Sequence, residues 1–150
     1  MSGNGSLCTQ AAADLEKLKT WLATYPHWEG TLQVDYTHGR APNAGLLPKG
    51  LEETSRQEDV VGNLQLGCRY QFDLFWKISG QGDDAQNASR LLDFQQWVQQ
   101  QSILGLTPRF GDVPAREQIR AEKGGLTAGT QITTYTATLI ADFMKLYEVK

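Results

Sequence analysis

The sequence predicts an α+β domain: a mixed, mostly antiparallel sheet of about four to five strands with two helices packed on one face. Three observations carry that expectation. Residues 68–78, CRYQFDLFWKI, alternate with the two-residue period of an extended chain, which sets Cys68, Tyr70, Phe72, Leu74, Trp76 and Ile78 on one face. Two other stretches repeat apolar residues at helical spacing, and the carboxy-terminal ITTYTATLIADFMKLYEV has the β-branched and aromatic content of a long strand. The resulting order of helix, strand, strand, helix, strand, strand leaves both helices free to cover one side of a sheet.

In chain order, residues 1–8, with Gly, Ser and Asn and little to bury, read as a flexible leader, and residues 9–150 as a single domain. Thr9 is placed to cap a helix from about Gln10 to Ala23, in which Ala11, Leu15, Leu18 and Leu22 recur on one side and Pro26 stops the run. TLQVDY then alternates Leu32, Val34 and Tyr36 as a short strand. Thr37–Gly50 mixes Gly, Pro, Asn and His without apolar period and reads as a long loop. The polar segment Leu51–Asp59 reads either as an edge strand or as more of that loop.

The aromatic strand begins as early as Val60 on this reading, kinked by Gly62 or Gly67. Its second face carries Arg69, Gln71, Asp73 and Lys77 but also Phe75, which is neither a clean solvent surface nor a second core. A helix follows from about Asn87, as N-cap, to Gln101, with Leu91, Phe94 and Val98 as its stripe and Leu92 and Trp97 widening it. Pro108 and Pro114 pin a turn-rich connection, and AREQIRAEKGGLTAGTQ reads as a polar strand, a Gly-rich hairpin turn and the start of its partner.

Composition narrows the function classes. At 150 residues the chain suffices for a real hydrophobic core without metal or disulfide support. Charged residues are 21% and the net charge is -3, so there is no basic field to gather nucleic-acid phosphates. Two cysteines far apart, Cys8 and Cys68, imply no disulfide framework, and no apolar run is long enough to span a bilayer. A soluble protein made in a reducing cytoplasm, with no membrane partner, is expected.

A search for catalytic chemistry returns little. GGLTAG lacks the strand-to-helix setting and the Lys-Ser/Thr of a phosphate loop. His27 and His38 bear no ligand spacing to Cys8 or Cys68, so no metal site is expected, and Cys68 on an apolar strand face reads as a small buried hydrophobe. Asp83 and Asp84 suit a helix N-terminus better than a paired-carboxylate site. No catalytic residue, cofactor or metal is predicted. The informative features are four tryptophans, of which Trp21 and Trp97 lie beside their helix stripes, and the glutamine cluster Gln95, Gln96, Gln99, Gln100 and Gln101. Such residues serve packing or contact between subunits, where aromatics are enriched.

The order YQFDLFWKI, NASRLLDFQQWVQQQ, LTPRFG and TTYTATLIADFMKLY resembles the tail terminator and minor capsid proteins of long-tailed phages. The matching positions are Phe72, Phe75, Asn87, Phe94, Trp97, Gln101, Pro108, Gly111 and Tyr135. Thr136, Ala137 and Thr138 depart from the glutamine common in the family's last strand. The resemblance implies a virion protein that forms a hexameric ring at the head-proximal end of the tail tube. That ring halts tube polymerisation and joins the tail to the head, with itself, the tail tube protein and a head-completion or connector protein as partners.

A closed ring joins two dissimilar patches of each subunit. Phe75, Lys77, Gln96, Trp97 and Gln100 are the candidate interface residues. DNA only passes through such a lumen, and basic side chains there would grip it. The lumen is therefore expected to be acidic or uncharged, with Glu52, Glu53, Glu58 and Asp59 as candidates. The alternatives are another head-tail connector or neck completion protein, a small cytoplasmic enzyme using His27 or His38 as base, or a monomeric protein-binding module.

Overall fold

A computed structural model of the chain describes residues 9–26, 31–34, 43–79, 84–128 and 132–148. In chain order the elements are α1 (Thr9–Leu22), β1 (Thr31–Val34), β2 (Asn43–Glu58), β3 (Leu64–Ser79), α2 (Asp84–Ile103), β4 (Gln118–Ala128) and β5 (Ile132–Tyr147). A single turn of 3-10 helix at Pro114–Arg116 precedes β4. The strands form one sheet in the order β1-β2-β3-β5-β4, antiparallel throughout except for the parallel β1–β2 pair. The architecture is α+β, as the sequence predicts.

The alternation in β3 sets the layering. Cys68, Phe72, Leu74 and Trp76 are buried and pair across the ladder with Phe143, Leu139, Ala137 and Tyr135 of β5, so both strands turn their apolar rows to the same side. Ile119 of β4 and Leu46 of β2 complete that row. Against it pack Leu18, Trp21 and Leu22 of α1, Tyr25 just beyond its end, and Phe94 and Val98 of α2. Their recurrence at three- and four-residue intervals is the reason these segments are helices: only that geometry gathers them on one face.

Rings dominate the contacts. Tyr25 lies edge-on to Phe94 and Trp76, with centroids 5.2 and 5.9 Å away, and Trp21 stacks on Trp97 at 5.0 Å. A second group joins Tyr70, Phe110 and Phe143, with Tyr70 4.9 Å from Phe143. Asp14 meets Tyr70 while Tyr25 meets Trp76, so α1 runs along β3 in the same direction. Gln101 meets Trp21 and Asp93 meets Tyr25, so α2 returns antiparallel to α1.

Four expectations need correction. Asn43–Gly50 is not loop but the first half of β2, because its backbone completes a ladder with β3 that pairs Ala44 with Trp76 and Leu46 with Leu74. α2 begins at Asp84, which places Asn87 inside the helix rather than at its cap; an acidic residue in the first turn is favoured by the helix dipole. Val60 belongs to the tight turn between β2 and β3, and the strand begins at Leu64. The glycine pair is no hairpin turn: Gly124 and Gly125 lie within β4, where the register to β5 slips between Glu122 and Gly125. Gly124 has φ +139°, and a Cβ there would sit 2.8 Å from the Thr136 carbonyl, so the irregularity demands glycine. Tyr36, the leader and the hairpin turn between β4 and β5 lie outside the described residues.

Candidate assembly surfaces

Length mismatch between strands and helices creates the first exposed surface. β2 and β3 have 16 residues each, about 50 Å at the usual rise, whereas the 14 residues of α1 reach about 20 Å. The β2–β3 hairpin therefore projects past the helices. Leu51 is 62% exposed, and Val60 and Val61 stand at the tip in solvent. The tip is nevertheless ordered by Asp59, whose carboxylate accepts from the amides of Val61 and Asn63 at 3.0 and 2.9 Å and from Asn63 Nδ2 at 2.9 Å. These bonds hold the Asp59 carboxyl below the usual carboxylate range, against the opposing effect of desolvation.

The second surface is the sheet face turned away from the helices. It carries a charge ladder across three strands: Arg69 Nε donates to Asp142 Oδ1 at 2.7 Å, Arg120 donates to Asp142 Oδ2 at 2.9 Å, and Arg120 also reaches Glu122 at 2.9 Å. Lys49 pairs with Asp73 at 3.7 Å on the β2 side. The Glu122 and Asp142 carboxylates raise the Arg120 guanidinium above its ordinary value, and Asp142 does the same for Arg69. Apolar side chains sit among these charges. Phe75 pairs with Gly45 and Thr136 and stays half-buried, and Ile140 is only 6% exposed although no helix among the described residues covers it.

The third surface is the outer side of α2 with the adjacent edge of β4. Between them runs a groove of about 540 Å³ lined by Leu92, Gln96, Gln99, Ile103 and Ala121. Leu92 and Ile103 are 57% and 77% exposed. Leu104 and Leu106 extend this apolar end of α2 beyond the helix.

These surfaces do not gather the sequence candidates in one place. Phe75 belongs to the uncovered sheet face, and the Lys77 side chain lies outside the described residues. Gln96 and Gln100 are exposed on α2. Trp97 is half-buried, stacked on Trp21 and 5.1 Å from Tyr25, so its ring serves the packing between helices. Glu52 lies opposite Arg69 on the uncovered face, whereas Glu53 and Glu58 lie opposite Cys68 and Leu64 and point to the helix side. Glu53 is engaged by Arg56 at 2.6 Å, and Asp59 belongs to the hairpin tip. Sequence reasoning missed Leu92, Ile103 and the β4 edge as surface features. The available signal was Leu92 at helical spacing from Gln95, Gln96 and Gln99, which sets it on the polar side of α2.

Groups with catalytic or ligand potential are tied into packing. Burial pushes the Cys68 thiol above its ordinary range. Asp14, 4% exposed, accepts from Tyr70 Oη at 2.6 Å and from Gln10 Nε2 at 2.8 Å. Among the described residues no group of three His, Cys, Asp or Glu side chains is placed to hold a metal, and no helix is long and apolar enough to cross a membrane. His27, His38 and Cys8 lie outside the described residues. Neither a family model nor a curated protein matches the chain.

Proposed function

We propose that this chain is a structural virion protein, a tail terminator that closes a homo-oligomeric, hexameric ring on the head-proximal end of a phage tail tube. There it stops tube polymerisation and presents the surface that a head-completion or connector protein meets. The observation that supports this reading best is the asymmetry of the sheet. One face is sealed by two helices, and the other presents the half-buried Phe75 together with ion pairs, with no helix or strand packed over it among the described residues. Apolar groups set within a charged, ordered ladder suit a contact that forms and registers in one orientation.

The resemblance of the aromatic strand, the Gln- and Trp-bearing helix and the Pro/Gly loop to tail terminators points the same way. On this reading the hairpin carrying Glu52, Glu53, Glu58 and Asp59 stands at the mouth of the channel, where its acidic balance repels rather than grips the passing DNA. A reconstruction of the assembled ring tests the placement. An acidic or uncharged channel is expected, with Phe75 covered by a neighbouring copy, the tube or the connector; a positively charged channel, or Phe75 bare in the joined tail, contradicts it.

A further inference from the structure

We infer that, given the ring reading above, neighbouring copies join by strand addition: the open edge of β2 in one subunit pairs with the open edge of β4 in the next, beside the groove walled by α2. The sheet has two incomplete edges of different kinds. β1 covers the outer edge of β2 only over Asn43–Leu46, so from Leu47 to Glu58 no described strand pairs with that edge. β4 closes the other end of the sheet order, and its Ile119 amide reaches only to the Ser102 hydroxyl, at a long 3.4 Å. Exposed edges of this kind are templates for another strand, and a groove between an edge strand and a helix is how extended segments are received.

Direction, charge and side-chain parity all favour a second copy as the occupant. Each step from β2 to β3 to β5 to β4 reverses the chain, so β2 and β4 run in opposite directions. A rotation about an axis along the strands preserves these directions and sets the β2 of one copy antiparallel to the β4 of the next. Residues 51–58 carry three glutamates against one arginine, while residues 116–123 carry two arginines and a lysine against two glutamates. The net charges of the two segments are therefore opposite in sign, which favours β2 with β4 over β2 with another β2. With Glu52 placed opposite Arg120, both lie on the uncovered face, since Glu52 pairs with Arg69 and Arg120 with Ile140. The same register turns Leu51 to the helix side, toward the exposed Leu92 and Ile103 of the groove. The contact joins two different patches, the kind from which a ring is built.

Mixing two blocked variants tests this. Thr54→Pro blocks the β2 edge at the residue skipped by the β3 ladder, and Ala121→Pro blocks the β4 edge at a position in phase with the outward Ile119 amide. Leu51→Glu and Leu92→Glu, at exposed positions, form a second pair that leaves the backbone intact. The expected result by native mass spectrometry is oligomers for the wild type at millimolar concentration and monomers for each variant alone. Mixing the two variants of either pair should give dimers and nothing larger, because each copy keeps one competent edge. Variants that assemble like the wild type overturn edge pairing while leaving the ring reading intact. Folded variants, checked by near-ultraviolet circular dichroism, that give no dimer on mixing overturn it as well. Wild-type chains that lengthen without closing support the contact and contradict the ring. A wild type that stays monomeric overturns edge pairing, and the terminator reading then stands or falls on the composition of the particle.

Discussion

Tyr70 Oη donates a 2.6 Å hydrogen bond to the buried carboxylate of Asp14, linking the aromatic strand to the first helix across 56 residues of chain. The ring of Tyr70 packs against Phe110 and Phe143 whether or not the hydroxyl is present, so Tyr70→Phe isolates the bond. Asp14 keeps Gln10 as a partner but loses its shortest bond. The expected cost is about 1–2 kcal/mol, read as a lower urea midpoint at unchanged slope. A variant as stable as the wild type would show that the helix is held by packing alone.

Tyr25 forms the corresponding link to α2. Its phenol donates to Asp93 at 2.7 Å, and burial first, then the Asp93 carboxylate, push it well above the ordinary tyrosine range. The unfolded phenol loses its proton near about pH 10, while the folded one retains it beyond that. Its contribution is therefore complete below about pH 10 and declines above it, by up to about 1.4 kcal/mol per pH unit. The stability advantage of the wild type over Tyr25→Phe should narrow between about pH 8 and about pH 11 in urea titrations. An advantage independent of pH would contradict the assignment.

Gly111 shows a steric constraint of another kind. A Cβ there would overlap the Met144 carbonyl and lie 2.9 Å from the Met144 amide, because the loop after Pro108 runs against β5, with Asp112 N donating to Met144 O at 2.8 Å. Gly111→Ala should cost about 1–3 kcal/mol by overpacking and expose Phe110, seen as a lower thermal midpoint. Full retention of stability would mean the loop moves freely off β5.

Asp142 holds both arginines of the uncovered face from its position opposite Arg69. All three groups are partly open to solvent, so salt screens their attraction. Asp142→Asn should lower the unfolding midpoint at low ionic strength and do so less as salt rises. A loss that does not depend on salt would assign the role of Asp142 to hydrogen bonding rather than charge.

What the sequence made legible follows how each segment meets its surroundings. β3 and β5 could be read because each has one row that is apolar and buried along its middle, over residues 68–76 and 135–143, and α1 could be read because its stripe meets a single sheet face. The first half of β2, Asn43–Gly50, was hidden because Asn, Gly and Pro interrupt it and its two leucines, Leu46 and Leu47, are adjacent and fall on opposite faces; in the second half Leu51 alone among residues 51–58 is apolar, so no alternation records the strand. Gly124 was misread because a turn and a slip in register call for the same residue. The mixed face of β3 was visible as a question through Phe75. Its answer, an ion-pair ladder running from Arg69 through Asp142 to Arg120, depends on cross-strand register, which no local pattern encodes.

The most direct test of the central claim, that this protein acts as a ring in a virion and not singly, is its copy number and position in purified particles. Quantitative mass spectrometry with cryo-electron microscopy should find one hexameric ring per tail at the head-proximal end. Its absence from the particle, or tails of normal length joined to full heads when it is deleted, would contradict the claim.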